Sequence, residues 1–374
     1  MNNKVKKIAN NFKFKGTIIK IEENNQGNIN KTYILTYDHN KYLLQKINSN
    51  VFTEPYLVMK NIELVTKHIK KKLKNLKDNT HKTLNIIKTT NNENMYTYIN
   101  SDGEKEYYRA FDFIEDCTSY DSFENSKNSL KLAYEAGKSF GNFQNLLNDF
   151  PCNLLSETIK DFHNTKKRFQ DFLDTIENKV TNRAYDFSKE IIDLISKIKE
   201  CSIIIDNLGK SIPIRVTHND TKLNNILMNK NTNIGIAIID LDTVMPGSIL
   251  FDIGDGIRST CSNSFEDEID KDKIYLNLDL TKAYLKGFLE ETHNILTQEE
   301  INYIGLSIKI LTYELALRFL TDYINGDTYF KIKYKEHNKD RFLNQYILLQ
   351  DIESKLDEIN EFVLKTIKEF RIKT

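Results

Sequence analysis

Residues 212–258 read IPIRVTHNDTKLNNILMNKNTNIGIAIIDLDTVMPGSILFDIGDGIR. Ile212–Val216 predicts a short strand and Ile226-Leu227-Met228 a second. Ile236-Ala237-Ile238-Ile239 predicts a third, wholly apolar and so buried. Asn229–Asn233 is a turn. The polar residues fall in loops at strand ends, where a side chain can be both rigidly held and open to a ligand. Asp220 is followed five residues later by Asn225, and Asp240 closes the apolar strand. A carboxylate directly behind four apolar residues is costly to bury unless it is paired or binds a cation.

Strands dominate the sequence before this stretch. Phe12–Ile21 is β-branched and partly alternating, and Thr32–Tyr37 and Tyr42–Ile47 follow across the turn clusters Asn24–Asn28 and Asp38–Asn40. Short turns join antiparallel neighbours. Met59, Ile62, Val65, Ile69, Leu73 and Leu76 recur at helical spacing between Pro55 and Leu76. More strands are expected near Leu84–Thr89, Met95–Ile99 and Tyr107–Ile114. Beyond Glu115 the pattern is helical, over Leu130–Leu147, Glu190–Ile205, Leu280–Leu289, Glu299–Tyr323 and Leu343–Phe370. The expected fold class is therefore α+β: a small mixed β lobe over residues 1–114 and a large, mainly α-helical lobe over residues 115–374.

Composition narrows the function classes. The 374 residues carry 53 Lys plus Arg and 53 Asp plus Glu, a formal net charge of zero, which argues against a general nucleic-acid binder. A hydrophobic fraction of 40% suits a globular core rather than disorder. No apolar run approaches the roughly 18–20 residues that span a bilayer, so no membrane association is expected. The basic start, Met1 to Lys7, lacks a following apolar segment, so a secretory signal is not expected. Cys117, Cys152, Cys201 and Cys261 lie far apart without a CxxC pair, which fits a reducing cytoplasmic setting better than a disulfide framework or zinc ribbon.

The spacing in the central stretch suits phosphoryl transfer. That reaction needs a carboxylate to orient the attacking hydroxyl and accept its proton, and oxygen ligands for a Mg²⁺ ion on the nucleotide phosphates. Asp220 can be the catalytic base. Asn225 and Asp240 can be the metal ligands, since Mg²⁺ prefers hard oxygen donors. Lys222 can hold charge developing on the transferred group. Asp242 either assists the metal through water or structures the turn. His218 reads as structural. Asp252 and Asp255, in Phe251-Asp252-Ile253-Gly254-Asp255, read as braces on the catalytic loop rather than substrate contacts. Gly254-x-Gly256 is too little to mark a dinucleotide fold.

His218-x-Asp220-x-Lys222-x-x-Asn225 resembles the protein-kinase catalytic loop, with Asn219 in place of Arg, and Ile239-Asp240 stands where the metal-binding Asp would be. Leu241-Asp242 replaces Phe-Gly, and no Ala-Pro-Glu follows. The loop is more similar to that of the aminoglycoside phosphotransferase and choline kinase superfamily. Within it, residues 217–225, 239–247, 44–48 and 318–323 resemble the N-acetylhexosamine 1-kinase group, and the matches spread from about residue 27 to residue 330. The resemblance implies a bilobal protein-kinase-like fold. It also implies transfer of the ATP γ-phosphate, with Mg²⁺, to the anomeric hydroxyl of GlcNAc or GalNAc.

The resemblance also places residues of the small lobe. Gly27-Asn28-Ile29-Asn30-Lys31-Thr32-Tyr33 is similar to the Gly-x-x-Asn-x-x-Tyr turn of the small-molecule kinases, so Gly27 and Asn30 are expected at the phosphates. Lys46, on the third strand with Gln45 on its opposite face, is expected to pair the α/β-phosphates where the family often carries Arg. Glu63 on the following helix is the candidate partner of Lys46. Phe111–Glu115 should form the hinge that receives adenine. Arg318 and Asp322, four apart on one helix face, are candidate sugar contacts; the plainer reading is an ion pair along the helix. The basic run Lys67–Lys77 reads as a solvated helix face.

Three other readings stand beside the sugar kinase. The acceptor could be choline, homoserine, a methylthio-sugar or an aminoglycoside; the absence of Trp weakens an aromatic cage for choline. The chain could be a non-catalytic kinase-like binding module, against which the intact Asp220, Asn225 and Asp240 argue. The acidic cluster Asp240, Asp242, Asp252 and Asp255 could serve a metal-dependent phosphohydrolase, but no His ligands stand at useful spacing.

Overall fold

The computed structural model describes residues 2–24, 29–122 and 128–373. They form two compact units. The first comprises Met1–Thr118, Asp149–Lys160 and Leu227–Pro246; the second comprises Ser119–Asn148, Asp161–Ile226 and Gly247–Thr374.

The first unit is built on an antiparallel sheet of six strands: β1 (Ile18–Asn24), β2 (Lys31–Tyr37), β3 (Lys41–Ile47), β4 (Ile86–Ile87), β5 (Tyr96–Ile99) and β6 (Lys105–Asp112). The order is β1-β2-β3-β6-β4, and β5 also pairs with β6. Side chains alternate across the sheet with period two. Tyr33, Leu35, Tyr37, Tyr42, Leu44, Tyr108 and Ala110 share one face and bury against Val5, Ile8 and Ala9 of helix α1 (Asn2–Ala9). This helix was not expected. Its Val5, Ile8 and Ala9 have the i, i+3, i+4 spacing of one apolar stripe, but two turns are too short to stand out from the lysines around them. The strand expected over Phe12–Ile21 begins only at Ile18, and Phe12 makes an isolated bridge to Thr89.

Helix α2 (Pro55–Leu76) lies where the sequence placed it, with proline in its first turn and Lys77 in the left-handed conformation at its end. Met59, in its buried stripe, has its sulfur 4.0 Å from Nη1 of Arg109 on β6. A second small sheet runs in the order β10 (Gly235–Ile238), β9 (Ile226–Asn229), β7 (Cys117–Thr118). Asn61 of α2 is fully buried and fully used. Its Nδ2 donates to the carbonyls of Ser156 (2.7 Å) and Val244 (2.9 Å), and its Oδ1 accepts from Ser156 N (3.0 Å). That bond fixes the segment just beyond Asp240 to the helix.

The second unit is helical apart from the short strand β8 (Arg215–Thr217). Its helices are α3 (Ser129–Leu147), α4 (Thr165–Asn178), α5 (Ser188–Cys201), α6 (Ile203–Asn207), α7 (Ile249–Cys261), α8 (Leu278–Thr292), α9 (Gln298–Asn302), α10 (Ile304–Ile324) and α11 (His337–Lys373). α3 and α8 cross at glycine. A Cβ at Gly137 would strike the Tyr284 carbonyl, and one at Gly287 would strike that of Tyr134. α10 is buried on nearly every side, as its apolar sequence requires. The single helix expected over Glu299–Tyr323 is two helices: a capping box of Thr297 and Glu300 starts α9, and Tyr303, at φ −105° and ψ 7°, interrupts the helix before α10. Helices α4 and α7 were not expected. α4 buries only Thr165, Phe172 and Thr175 along its length, and α7 carries two glycines and two aspartates that lower helix propensity. No helix of the described residues is long and apolar enough to cross a membrane.

Candidate active site

The loop between β8 and β9 is held by its backbone. Asp252, on the first turn of α7, accepts from His218 N (2.8 Å) and Asn219 N (2.7 Å), and from Gln144 Nε2 (2.6 Å). One turn on, Asp255 accepts from Thr221 N (2.9 Å) while Thr221 Oγ1 donates to the Asp252 carbonyl (2.7 Å). Both carboxylates are buried, and the bracing read from the sequence is what the structure shows. Burial alone would raise the Asp255 carboxyl; Arg258, 2.8 Å away, acting with the charge of Lys222, holds the group below its ordinary value. The His218 ring is fully buried against Phe140 and Phe143 and accepts from Asp220 N at Nδ1 (3.3 Å), a structural place.

The loop presents three of the expected residues together. Lys222 Nζ lies 2.8 Å from Asp220 Oδ1. Asn225 Nδ2 donates to the Asp220 carbonyl (2.8 Å) and to its Oδ2 (3.1 Å). Asp220 and Lys222 are partly exposed, so a ligand can reach them. The Asp220 charge raises the Lys222 ammonium above its ordinary value and keeps it cationic. Because the Asn225 amide nitrogen is turned to Asp220, its Oδ1 is the atom that could ligate a cation.

Two further residues of this unit escaped the sequence reading. His163 Nδ1 meets Glu314 Oε2 (3.0 Å) and its Nε2 meets the carbonyl of Asn219 (3.3 Å), whose φ is +65°. Glu314 is buried in the middle of α10, and a lone carboxylate inside Leu311–Leu317 is the signal that could have found the pair.

Asp240 belongs to the first unit. It is exposed, with φ at +57°, a backbone state a non-glycine residue adopts only where its surroundings impose it. The turn that follows is anchored. Asp242 is 2% exposed; its Oδ1 pairs with Arg109 Nη1, and its Oδ2 accepts from Asn30 Nδ2 (2.6 Å). Asn30 Oδ1 in turn accepts from Asn48 N (3.0 Å). Both Asp242 oxygens are therefore engaged, and of its two readings the structural one holds. Arg109 is 2% exposed and donates from Nε to Gln45 Oε1 (3.0 Å). It was missed, though an Arg among Tyr108, Ala110 and Phe111 of a core strand is itself a signal.

Lys46 and Glu63 stand differently from expectation. Lys46 Nζ pairs with Glu106 Oε1 (2.8 Å), and Glu63 binds Lys88 (2.7 Å), Lys67 (2.9 Å) and Asn94 (2.7 Å). The expected Lys46–Glu63 pair is replaced because strand alternation turns Lys46 to the face covered by α1, with Tyr108 opposite it, while Gln45 shares the other face with Arg109. Burial would raise both glutamates. The bonds from Lys4, Lys46 and Tyr108 hold Glu106 at about 2, and those from Lys88, Lys67 and Asn94 do the same for Glu63. Gly27 lies outside the described residues.

Arg318 and Asp322 do not pair along α10. Asp322 accepts from the backbone N–H groups of Thr328 (2.9 Å), Tyr329 (2.7 Å) and Phe330 (2.9 Å) and from Asn338 Nδ2 (2.8 Å). A carboxylate so filled, and 4% exposed, folds the loop after α10 and is not left for a sugar hydroxyl. Arg318 lies over the Phe330 ring, 5.3 Å from its centroid. Burial, and then the like charge of Arg168, lower its guanidinium below the ordinary value.

Among the described residues no group of three or more His, Cys, Asp or Glu converges as a metal cage. Mg²⁺ does not need one, since it is held by one or two protein oxygens together with substrate phosphates and water. The exposed Asp240 carboxylate and the Asn225 Oδ1 fit that donor chemistry.

Comparison with known proteins gives the fold and the family. Three similar solved structures are a microcompartment-associated aminopropanol kinase (TM-score 0.61, 11% identity, 96% of this chain and 99% of that one), a spectinomycin phosphotransferase with ADP and spectinomycin (0.58, 11%, 95% and 98%) and a choline kinase from Cryptosporidium parvum (0.56, 16%, 96% and 97%). At these identities they establish the kinase-like fold, with its sheet-rich N-terminal lobe and helical C-terminal lobe. The family model described as phosphotransferase enzyme family matches residues 20–275, a span that contains the sheet from Lys20 onward, the Asp220 loop, Asp240 and its turn, and α7. The chain belongs to the phosphotransferase enzyme family.

Proposed function

We propose that the protein transfers the γ-phosphate of ATP to the anomeric hydroxyl of an N-acetylhexosamine, giving the sugar 1-phosphate. The observation that carries phosphoryl transfer is the Asp220 carboxylate. It is partly exposed, fixed by Lys222 and Asn225, and mounted on a loop whose backbone is tied to Asp252 and Asp255. Asp220 orients the acceptor hydroxyl and takes its proton as the oxygen attacks phosphorus. Lys222 holds charge on the phosphoryl group in flight. Asn225, through Oδ1, and Asp240 would ligate the divalent ion, whose charge neutralises the nucleotide phosphates when bound. The similar spectinomycin phosphotransferase was solved with ADP, which supports an adenine nucleotide. The sugar assignment rests on the resemblance of residues 44–48, 217–225, 239–247 and 318–323 to the hexosamine kinases, with Arg318 as the residue offered to the sugar.

Incubating the protein with Mg·ATP and, separately, GlcNAc, GalNAc, choline and an aminoglycoside tests the acceptor. An α-linked sugar 1-phosphate by ³¹P NMR supports the reading. A phosphoester formed only with choline or the aminoglycoside keeps the phosphotransferase and removes the sugar.

A further inference from the structure

The strand expected to bring a cation to the nucleotide phosphates does not bring one to the face that carries the Asp240 turn. On β3, Gln45 and Lys46 point to opposite faces. Lys46 is spent on Glu106, which also takes Lys4 (2.7 Å), on the face covered by α1. Gln45 lies on the other face and is neutral. Directly across from it in the β3–β6 register stands Arg109. Arg109 bonds Gln45 Oε1 and pairs with Asp242, two residues beyond Asp240, and Asn30, beside the β1–β2 turn, bonds the same Asp242. The sheet, the β1–β2 connection and the Asp240 turn of this unit therefore meet at one guanidinium.

We propose that Arg109, on β6, is the phosphate-binding cation of the first unit, in the place expected for Lys46. This rests on the phosphotransferase reading above. A guanidinium carries five donors in a planar fork and can hold a carboxylate on one edge while offering the remainder to a phosphate. Among the described residues, its bonds to oxygen run from Nε and Nη1, so Nη2 is the nitrogen of this 2%-exposed side chain that carries no bond to oxygen. Gln45 takes Nε at 3.0 Å and is itself held, since Gln45 Nε2 donates to Thr32 Oγ1 (3.0 Å). The fork is thus oriented before any nucleotide arrives, which reduces the entropy lost on binding. Asp242 neutralises Arg109 inside the unit, so the buried charge is compensated in the free protein.

The test is calorimetric binding of Mg·ADP and of adenosine, with no acceptor and no turnover. Because Arg109→Gln alone would strand the buried Asp242 charge, it is paired with Asp242→Asn and compared with Asp242→Asn alone. The expected result is a loss of Mg·ADP affinity of about tenfold or more in the double variant, adenosine affinity unchanged, and Lys46→Ala within twofold of wild type. Mg·ADP affinity unchanged on removing Arg109, equal losses for ADP and adenosine, or a tenfold loss in Lys46→Ala would each overturn the inference. Wild-type protein that binds no Mg·ADP at all would instead overturn the phosphotransferase reading on which it rests.

Discussion

Asp252 receives the backbone N–H groups of both His218 and Asn219, at 2.8 and 2.7 Å, so one buried carboxylate on α7 sets the path of the loop that ends in Asp220. An amide at this place can accept through one oxygen only. Asp252→Asn should therefore leave a buried donor unpaired and cost about 1–3 kcal/mol of stability. Urea unfolding measures that cost, and turnover should fall with it although Asp252 touches no substrate. A variant with wild-type stability would show that the loop holds its shape without this brace.

Acid should act on the Lys46–Glu106 contact. Glu106 is held at about 2 in the folded protein, below the roughly 4.3 of an unperturbed glutamate. A depressed folded value means stability that is present above the unfolded value and is lost as pH falls toward the folded one. The window is about pH 5 to pH 2. Thermal unfolding across it should show Glu106→Gln losing less stability than wild type. Equal acid sensitivity would mean that Glu106 titrates alike in both states.

Arg318 and Asp322 should separate by experiment as they do in space. Asp322→Ala removes the acceptor of three backbone N–H groups and Asn338, and should destabilise the protein by about 2–4 kcal/mol. Arg318→Gln should instead raise the acceptor KM about tenfold or more with Mg·ADP affinity unchanged. Denaturation and steady-state kinetics distinguish them. An acceptor KM shifted by Asp322 and untouched by Arg318 would reverse the assignment.

Much of this was legible in the sequence because period and spacing carry it. β2, β3, β6, α2 and α3 show their apolar rhythm locally, and the strand-loop-strand around Asp220 places Asp220, Lys222 and Asn225 within one loop. Alternation also put Gln45 and Lys46 on opposite faces. What it could not tell is which face would be covered, because α1, the cover, is only two turns long. That single gap misplaced Lys46 and left Glu63 with the wrong partner. Arg109, His163 and Glu314 were hidden for a related reason: their partners lie 133, 56 and 151 residues away along the chain. Asp322 was misread because its donors are backbone N–H groups of Thr328, Tyr329 and Phe330, which no side-chain pattern shows.

The central claim is that Asp220 accepts the acceptor's proton during phosphoryl transfer. The most direct measurement is acceptor-dependent ADP formation from Mg·ATP, with Mg·ADP affinity measured on the same samples, for wild type and Asp220→Asn. The account predicts a fall in kcat of about 10²–10⁴-fold in the variant with Mg·ADP affinity within twofold. Acceptor-dependent turnover at the wild-type rate in Asp220→Asn would contradict it.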